Sequence, residues 1–182
     1  MAGSAAAPRL LGRFSGVLPV TLFRIQGGAS VRLRLEAAQK AAGRTSFDIS
    51  THAHEGGPAV VLPRAPPPAG SAEAERFLGP NGMSMRPKGT ALAMIVAPFR
   101  APRTLVVEVP AGARIPPELC VLHEHSDSYS VQPAVRMSPA ALNAALTAFL
   151  AQPGVVRMES KEAFYARHPD MHPNVVGFSS NA

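Results

Sequence analysis

Arg24 is the first residue whose setting suggests chemistry. It falls inside Val20–Ile25 (VTLFRI), a β-branched and aromatic run that predicts a strand. A guanidinium held on a rigid strand can grip phosphate through its planar fork, whereas the plainer alternative is an edge-strand arginine facing solvent. Ser84 stands between Met83 and Met85, and that alternation turns it away from the face its neighbours occupy. His52/His54 and His123/His125 are two His-x-His pairs that could each offer a metal two imidazoles. No third ligand is placed beside either pair by spacing, so the sequence does not make a metal site. Cys120 is the single cysteine and lies in the apolar run Leu119–Leu122, which excludes an intramolecular disulfide or a thiolate zinc cluster and predicts an inert core thiol.

These residues need elements to position them. Residues 1–19 are rich in Ala, Gly, Ser and Pro and contain no acid, which reads as a disordered leader or, alternatively, an organelle-targeting presequence. Gly27-Gly28 ends the first strand, and Ser30 is a candidate cap for a helix through Ala42, stopped by Gly43. The alternation Val31-Arg32-Leu33-Arg34-Leu35 competes with that helix. From Thr45 to Pro80 no period survives, which predicts a long loop with a short helix at Ser71–Leu78. Asn81-Gly82 marks a turn, and Ala91–Ala97 is a short apolar helix or strand. Thr104–Val109, Leu119–His123 and Tyr129–Gln132 read as strands, the last stopped by Pro133. Ser138-Pro139 opens a helix with Leu142, Leu146, Phe149 and Leu150 on one face. Val155-Val156 suggests a further strand. Ser160 starts a last helix carrying Phe164 and Tyr165, and the tail from residue 171 is expected to be flexible.

At 182 residues the chain suits one domain, expected over 20–170, with a core of Ala, Val and Leu since it has no Trp. Nineteen prolines and fifteen glycines predict long irregular connections. The net charge of +6 reflects a shortage of acids, 12 against 18 bases, and the bases are scattered. No basic run marks a nucleic-acid patch, although such a surface favours anionic ligands such as a dinucleotide. No stretch reaches the roughly 18 apolar residues of a membrane span.

Walker, G-x-S-x-G, H-E-x-x-H and zinc-finger motifs are all absent from the sequence. Four ordered blocks are present instead: LFRIQ (Leu22–Gln26), NGMSMRP (Asn81–Pro87), VVEVPAGARIPPELCVLHE (Val106–Glu124) and DSYSVQPAVRMSPAALNAALTAFL (Asp127–Leu150). Together they resemble the toxin family typified by the second type VI secreted effector of pseudomonads, and more closely its fungal relatives. The resemblance spans roughly Leu22 to His168. It implies an α+β ADP-ribosyltransferase-like fold, two small, mainly antiparallel sheets forming a cleft with flanking helices. It also implies NAD as substrate. Arg24 matches the first-strand residue that holds the dinucleotide. Ser84 matches the residue bracing the nicotinamide side, with Asn81 and Arg86 nearby, and Tyr129 is the candidate for stacking on nicotinamide.

The family pattern ends in a late-strand Glu, where this chain has Gln132, and Glu124 on the preceding strand is the substitute carboxylate. Ser128 stands where relatives carry His. The resemblance therefore implies transfer of ADP-ribose to an intracellular macromolecular target, or hydrolysis of NAD, with Gln132 or Glu124 at the ribose. It leaves room for an immunity partner, and for a cytoplasmic or, through the leader, mitochondrial location. Two other readings compete. One is a catalytically decayed NAD-binding or protein-interaction module of the same fold, which would bind NAD without turnover. The other is a nucleic-acid-acting basic domain, which scattered charge and few aromatics disfavour.

Overall fold

The computed structural model describes residues 11–54, 56–63 and 81–176. In chain order the elements are β1 (Gly12–Phe14), β2 (Leu22–Gly27), α1 (Glu36–Ala41), β3 (His52–His54), β4 (Gly57–Val60), β5 (Met83–Met85), α2 (Thr90–Val96), β6 (Thr104–Val109), β7 (Leu119–His125), β8 (Ser128–Pro133), α3 (Pro139–Leu150), β9 (Arg157–Ser160), α4 (Lys161–Arg167) and α5 (Pro173–Val176). The strands form antiparallel sheets in the orders β1-β7-β8-β5 and β2-β6-β9, with β3-β4 as a hairpin. This is the expected α+β arrangement of small antiparallel sheets and flanking helices.

Register decides which face of the four-stranded sheet is polar. Phe14, Val121, Val131 and Met83 form one row across β1, β7, β8 and β5, and the three from β7, β8 and β5 are fully buried. The adjacent row is Arg13, Leu122, Ser130 and Ser84, which faces the other way because successive residues alternate. The main core therefore lies on the Val131 side. It gathers Met83, Met85, Tyr129 and Val131 from this sheet, Leu22, Val107 and Val109 from the three-stranded sheet, and Leu142, Leu146, Phe149 and Leu150 from α3. The three-stranded sheet is covered on its second face too, by Leu92, Ala93 and Val96 of α2, Phe164 of α4 and Met171, packed on Phe23, Ile25 and Val106. Two short backbone hydrogen bonds between Phe23 and Arg86 tie the end of β5 to β2.

The α3 prediction holds in detail. Ser138 Oγ accepts from the Ala141 amide, Pro139 opens the helix, and the four expected residues are buried. The Ser160 cap of α4 also forms, accepting from Ala163. The expected helix from Ser30 does not. Residues 31–35 stay extended because α3 satisfies their backbone: Val31 N–H donates to Thr147 Oγ1 and Leu33 N–H to Asn143 Oδ1, each at 2.9 Å. The alternation thus wins, burying Val31 and Leu33 and turning Arg32 and Arg34 outward. The helix is confined to α1, and Gly43 ends it with a φ of +67°.

Other expectations change as well. The region from Thr45, read as loop, contains the β3-β4 hairpin, and the helix expected at Ser71–Leu78 lies outside the described residues. Val155 and Val156 sit in a turn, and the strand begins at Arg157. Residues 11–19, read as part of a disordered leader, supply β1, which pairs with β7, and the buried Leu18. Met171, expected in a flexible tail, is buried against α2 and α4. His123 and His125 do not share a face as a simple alternation would give, because the β7-β8 register shifts between them. No cluster of three or more potential metal ligands occurs among the described residues, and none of their helices is long and apolar enough to cross a membrane.

Gly82 is the tightest of the described glycines. A Cβ there would stand 2.3 Å from the Val131 carbonyl oxygen and 2.8 Å from Gln132 Cγ. Gly82→Ala should lose about 2–3 kcal/mol in urea denaturation. Gly57→Ala, whose added methyl meets nothing nearer than 3.5 Å, should change stability by no more than about 0.5 kcal/mol.

Candidate functional site

Arg24 emerges from β2 between the two main sheets, half-buried, and is held at two points. Its Nε donates to Gln26 Oε1 and its Nη1 to the Ser84 carbonyl, each at 3.1 Å. Gln26 is buried and anchored in turn, its amide nitrogen donating to the Gly28 and Ala29 carbonyls. These bonds fix the guanidinium but do not neutralise it. Burial lowers its pKa to about 10, with Asp48 opposing the shift and Arg34 adding to it. A guanidinium stays charged at such a value.

A cleft of about 680 Å³ opens beside it. Arg24, Arg32, Arg34 and Arg86 line it, and Asp48 is the only carboxylate on its walls among the described residues. Asp48 is committed to Arg34. It accepts from the Arg34 backbone N–H at 2.7 Å, from Nε at 2.9 Å and from Nη2 at 2.8 Å, while Arg34 Nη1 reaches Ser46 Oγ. Burial pushes the Asp48 carboxyl up, but these bonds and the charges of Arg34 and Arg24 outweigh it and hold it below its ordinary value. Arg86 pairs at 2.7 Å with Asp127, in the β7-β8 turn. Arg24 and Arg32 form no ion pair with a carboxylate among the described residues. Among the described residues the cleft thus presents two guanidinia without a paired carboxylate, an arrangement suited to a diphosphate.

Ser84 also lines the cleft, on the polar face of β5 directly opposite Ser130 on β8. Behind it runs a buried chain in which Gln132 Nε2 donates to Ser130 Oγ at 2.6 Å and Ser130 donates to Glu124 Oε1 at 3.0 Å. Gln132 is fully buried, and its Oε1 has no partner among the described residues. The chain ties the carboxylate of Glu124 to the strand next to Ser84.

A family model described as Tse2 ADP-ribosyltransferase toxin matches residues 20–160. The chain belongs to this family. Comparison with curated proteins and with solved structures finds no match. Of the residues singled out from the sequence, the Tse2-family fold brings Arg24, Ser84 and Arg86 into one cleft. Gln132 is on β8, the strand next to Ser84, and Glu124 is on β7, one strand further, the two joined by Ser130. Asn81 does not reach the cleft. It is buried and its Nδ2 donates to the Leu62 carbonyl, a structural tie. Tyr129 does not line the cleft either. It lies on the core face of β8, its ring stacked on His123 with centroids 4.2 Å apart. His123 is itself occupied, donating from Nε2 to the Ser126 carbonyl at 2.6 Å.

Gln26, Arg32, Arg34, Asp48 and Ser130 escaped the sequence reading. Gln26 could have been found as the i+2 partner of Arg24, and Ser130 as the i−2 partner of Gln132, on their strands. Arg32 and Arg34 follow from the alternation that competed with a helix. Asp48 carries no local signal, because only the fold brings it to Arg34.

The Asp48–Arg34 pair predicts a pH-dependent stability difference. Asp48→Asn should lose about 1–3 kcal/mol at pH 7, measured by urea denaturation. Because the folded Asp48 pKa is depressed, wild type should keep this advantage down to about pH 5 and lose it progressively below about pH 4, where the carboxylate protonates.

Proposed function

We propose that this chain uses NAD as substrate, transferring its ADP-ribose to an intracellular macromolecular target or to water. Family membership supports the reaction class. The observation that carries the reading to this chain is the pair Arg24 and Arg32, two guanidinia on one cleft that have no carboxylate partner among the described residues. They match the two negative charges of a pyrophosphate and would hold it there. In this reaction the N-glycosidic bond breaks through an oxocarbenium-like state, nicotinamide departs, and the acceptor takes the ribose carbon.

Arg24, fixed by Gln26 and the Ser84 carbonyl, orients the dinucleotide with little loss of side-chain freedom. Ser84 braces the nicotinamide end. Glu124 supplies the negative charge that favours a cationic ribose, and Ser130 and Gln132 hold its carboxylate in place. Arg86, already paired to Asp127, shapes the wall. A producer of such a protein must hold it harmless, which implies a neutralising immunity partner; a producer-cell pull-down without a stoichiometric partner would count against one. We place its action inside the target cell, in the cytoplasm, with a mitochondrial destination as the alternative if residues 1–19 act as a presequence. The resemblance of the four sequence blocks to fungal relatives belongs to the same proposal.

A second reading, an NAD-binding module without turnover, is favoured by Gln132. It replaces the late-strand Glu and is fully buried away from the cleft walls. The two separate in one experiment. Purified wild type should consume NAD, and Arg24→Ala and Ser84→Ala should each lose roughly 100-fold in turnover with unchanged circular dichroism. NAD affinity in Arg24→Ala should fall at least about tenfold, or 1.4 kcal/mol, by calorimetry. Binding without turnover in wild type, with and without cell extract as acceptor, would select the module. Neither binding nor turnover would overturn both.

A further inference from the structure

A second cleft, of about 720 Å³, lies on the other side of the connection between α2 and β6, and Phe99 lines both clefts. Its walls are Ala97, residues 99–105, the start of α4, Tyr165, and His172–Pro173. The connection is pinned from both sides. Lys161 Nζ donates to the carbonyls of Val96, Ala97 and Phe99 at 3.0, 3.0 and 3.1 Å, which uses all its N–H groups. Arg100 Nη1 donates to the carbonyls of Ala97 and Phe99.

These bonds fix the cations without cancelling them. Lys161, Arg100 and Arg103 form no ion pair with a carboxylate among the described residues. Glu162, the only acid on this wall among the described residues, is turned to Ser160 and its own backbone N–H at the start of α4. Arg100 and Arg103 are exposed and keep donors available for a ligand. Beside them the Tyr165 and His172 rings meet edge to face, centroids 5.0 Å apart. The buried Tyr165 hydroxyl has no partner among the described residues, a donor left unsatisfied. Guanidinia that can take a phosphate, next to aromatic rings that can take a planar base, are the elements of nucleotide recognition.

We propose that this second cleft binds a free nucleoside monophosphate, with its phosphate at Arg100 and Arg103 and its base against Tyr165 and His172. The site is separate from the NAD reading and does not depend on it.

The test is calorimetry on the full chain with AMP as probe, in an Arg24→Ala background so that the first cleft contributes little. One AMP should bind. Adding Arg100→Gln and Arg103→Gln should weaken it at least tenfold, with circular dichroism unchanged because both side chains are exposed. Adding Tyr165→Phe instead should weaken it less. Adenosine alone and inorganic phosphate alone should each bind more weakly than AMP. Failure of the Arg24→Ala protein to bind AMP, or unchanged AMP affinity in the Arg100→Gln/Arg103→Gln protein, overturns the site. Phosphate binding as tightly as AMP overturns the nucleoside part. A short oligoadenylate binding far more tightly than AMP overturns the free-nucleotide assignment in favour of a nucleic acid. NAD turnover measured on the Arg100→Gln/Arg103→Gln protein, with Arg24 intact, keeps the two clefts apart, since loss of the first reading would abolish turnover in wild type as well.

Discussion

Two backbone hydrogen bonds between Phe23 and Arg86 set the geometry on which the rest depends. They join the first strand of one sheet to the end of the last strand of the other. Each contributes on the order of 1 kcal/mol net, and their larger effect is to fix direction. With β2 and β5 tied there, Arg24 reaches the Ser84 carbonyl and the cleft opens between the sheets. Side-chain packing alone would allow the sheets to slide, and the guanidinium would lose its seat.

Burial is arranged to hold that junction rigid. The three-stranded sheet carries an apolar cluster on each face, one shared with α3 and the other with α2 and α4. A strand packed on both sides has little freedom to twist or shift register. Polar groups near the junction are used mainly to aim other groups. Gln26 aims Arg24, Arg34 occupies Asp48, Ser130 links Gln132 to Glu124, and Asn143 and Thr147 keep residues 31–35 extended. The outcome is local charge imbalance in a fixed frame, which is what recognition of an anion requires.

The sequence was legible where local rules and tertiary packing agree. Thr104–Val109 forms its strand residue for residue, and the Ser138-Pro139 start gives the helix with the expected buried face. Ser84 faces opposite Met83 and Met85, as alternation requires. Legibility failed where a distant group decided the backbone. Residues 31–35 could satisfy either period until Asn143 and Thr147, more than a hundred positions away, supplied acceptors for their N–H groups. The site divides in the same way. Arg24 and Ser84 were visible from strand pattern and family resemblance. Tyr129 looked like a ligand group because it is aromatic and sits in a matched block, yet its strand parity sends the ring to His123. Asp48 and Ser130 act only through contacts that the chain makes after folding.

Cys120 is buried between Leu119 and Val121, and burial pushes its thiol pKa up despite the nearby Arg13. Its thiolate is therefore scarce and shielded, which slows both oxidation and exchange with other thiols. No covalent cross-link is made or broken when the surroundings change potential. The fold rests on packing and hydrogen bonds that are indifferent to glutathione or to air. With one cysteine in the sequence, the internal connectivity of the chain does not depend on the redox potential.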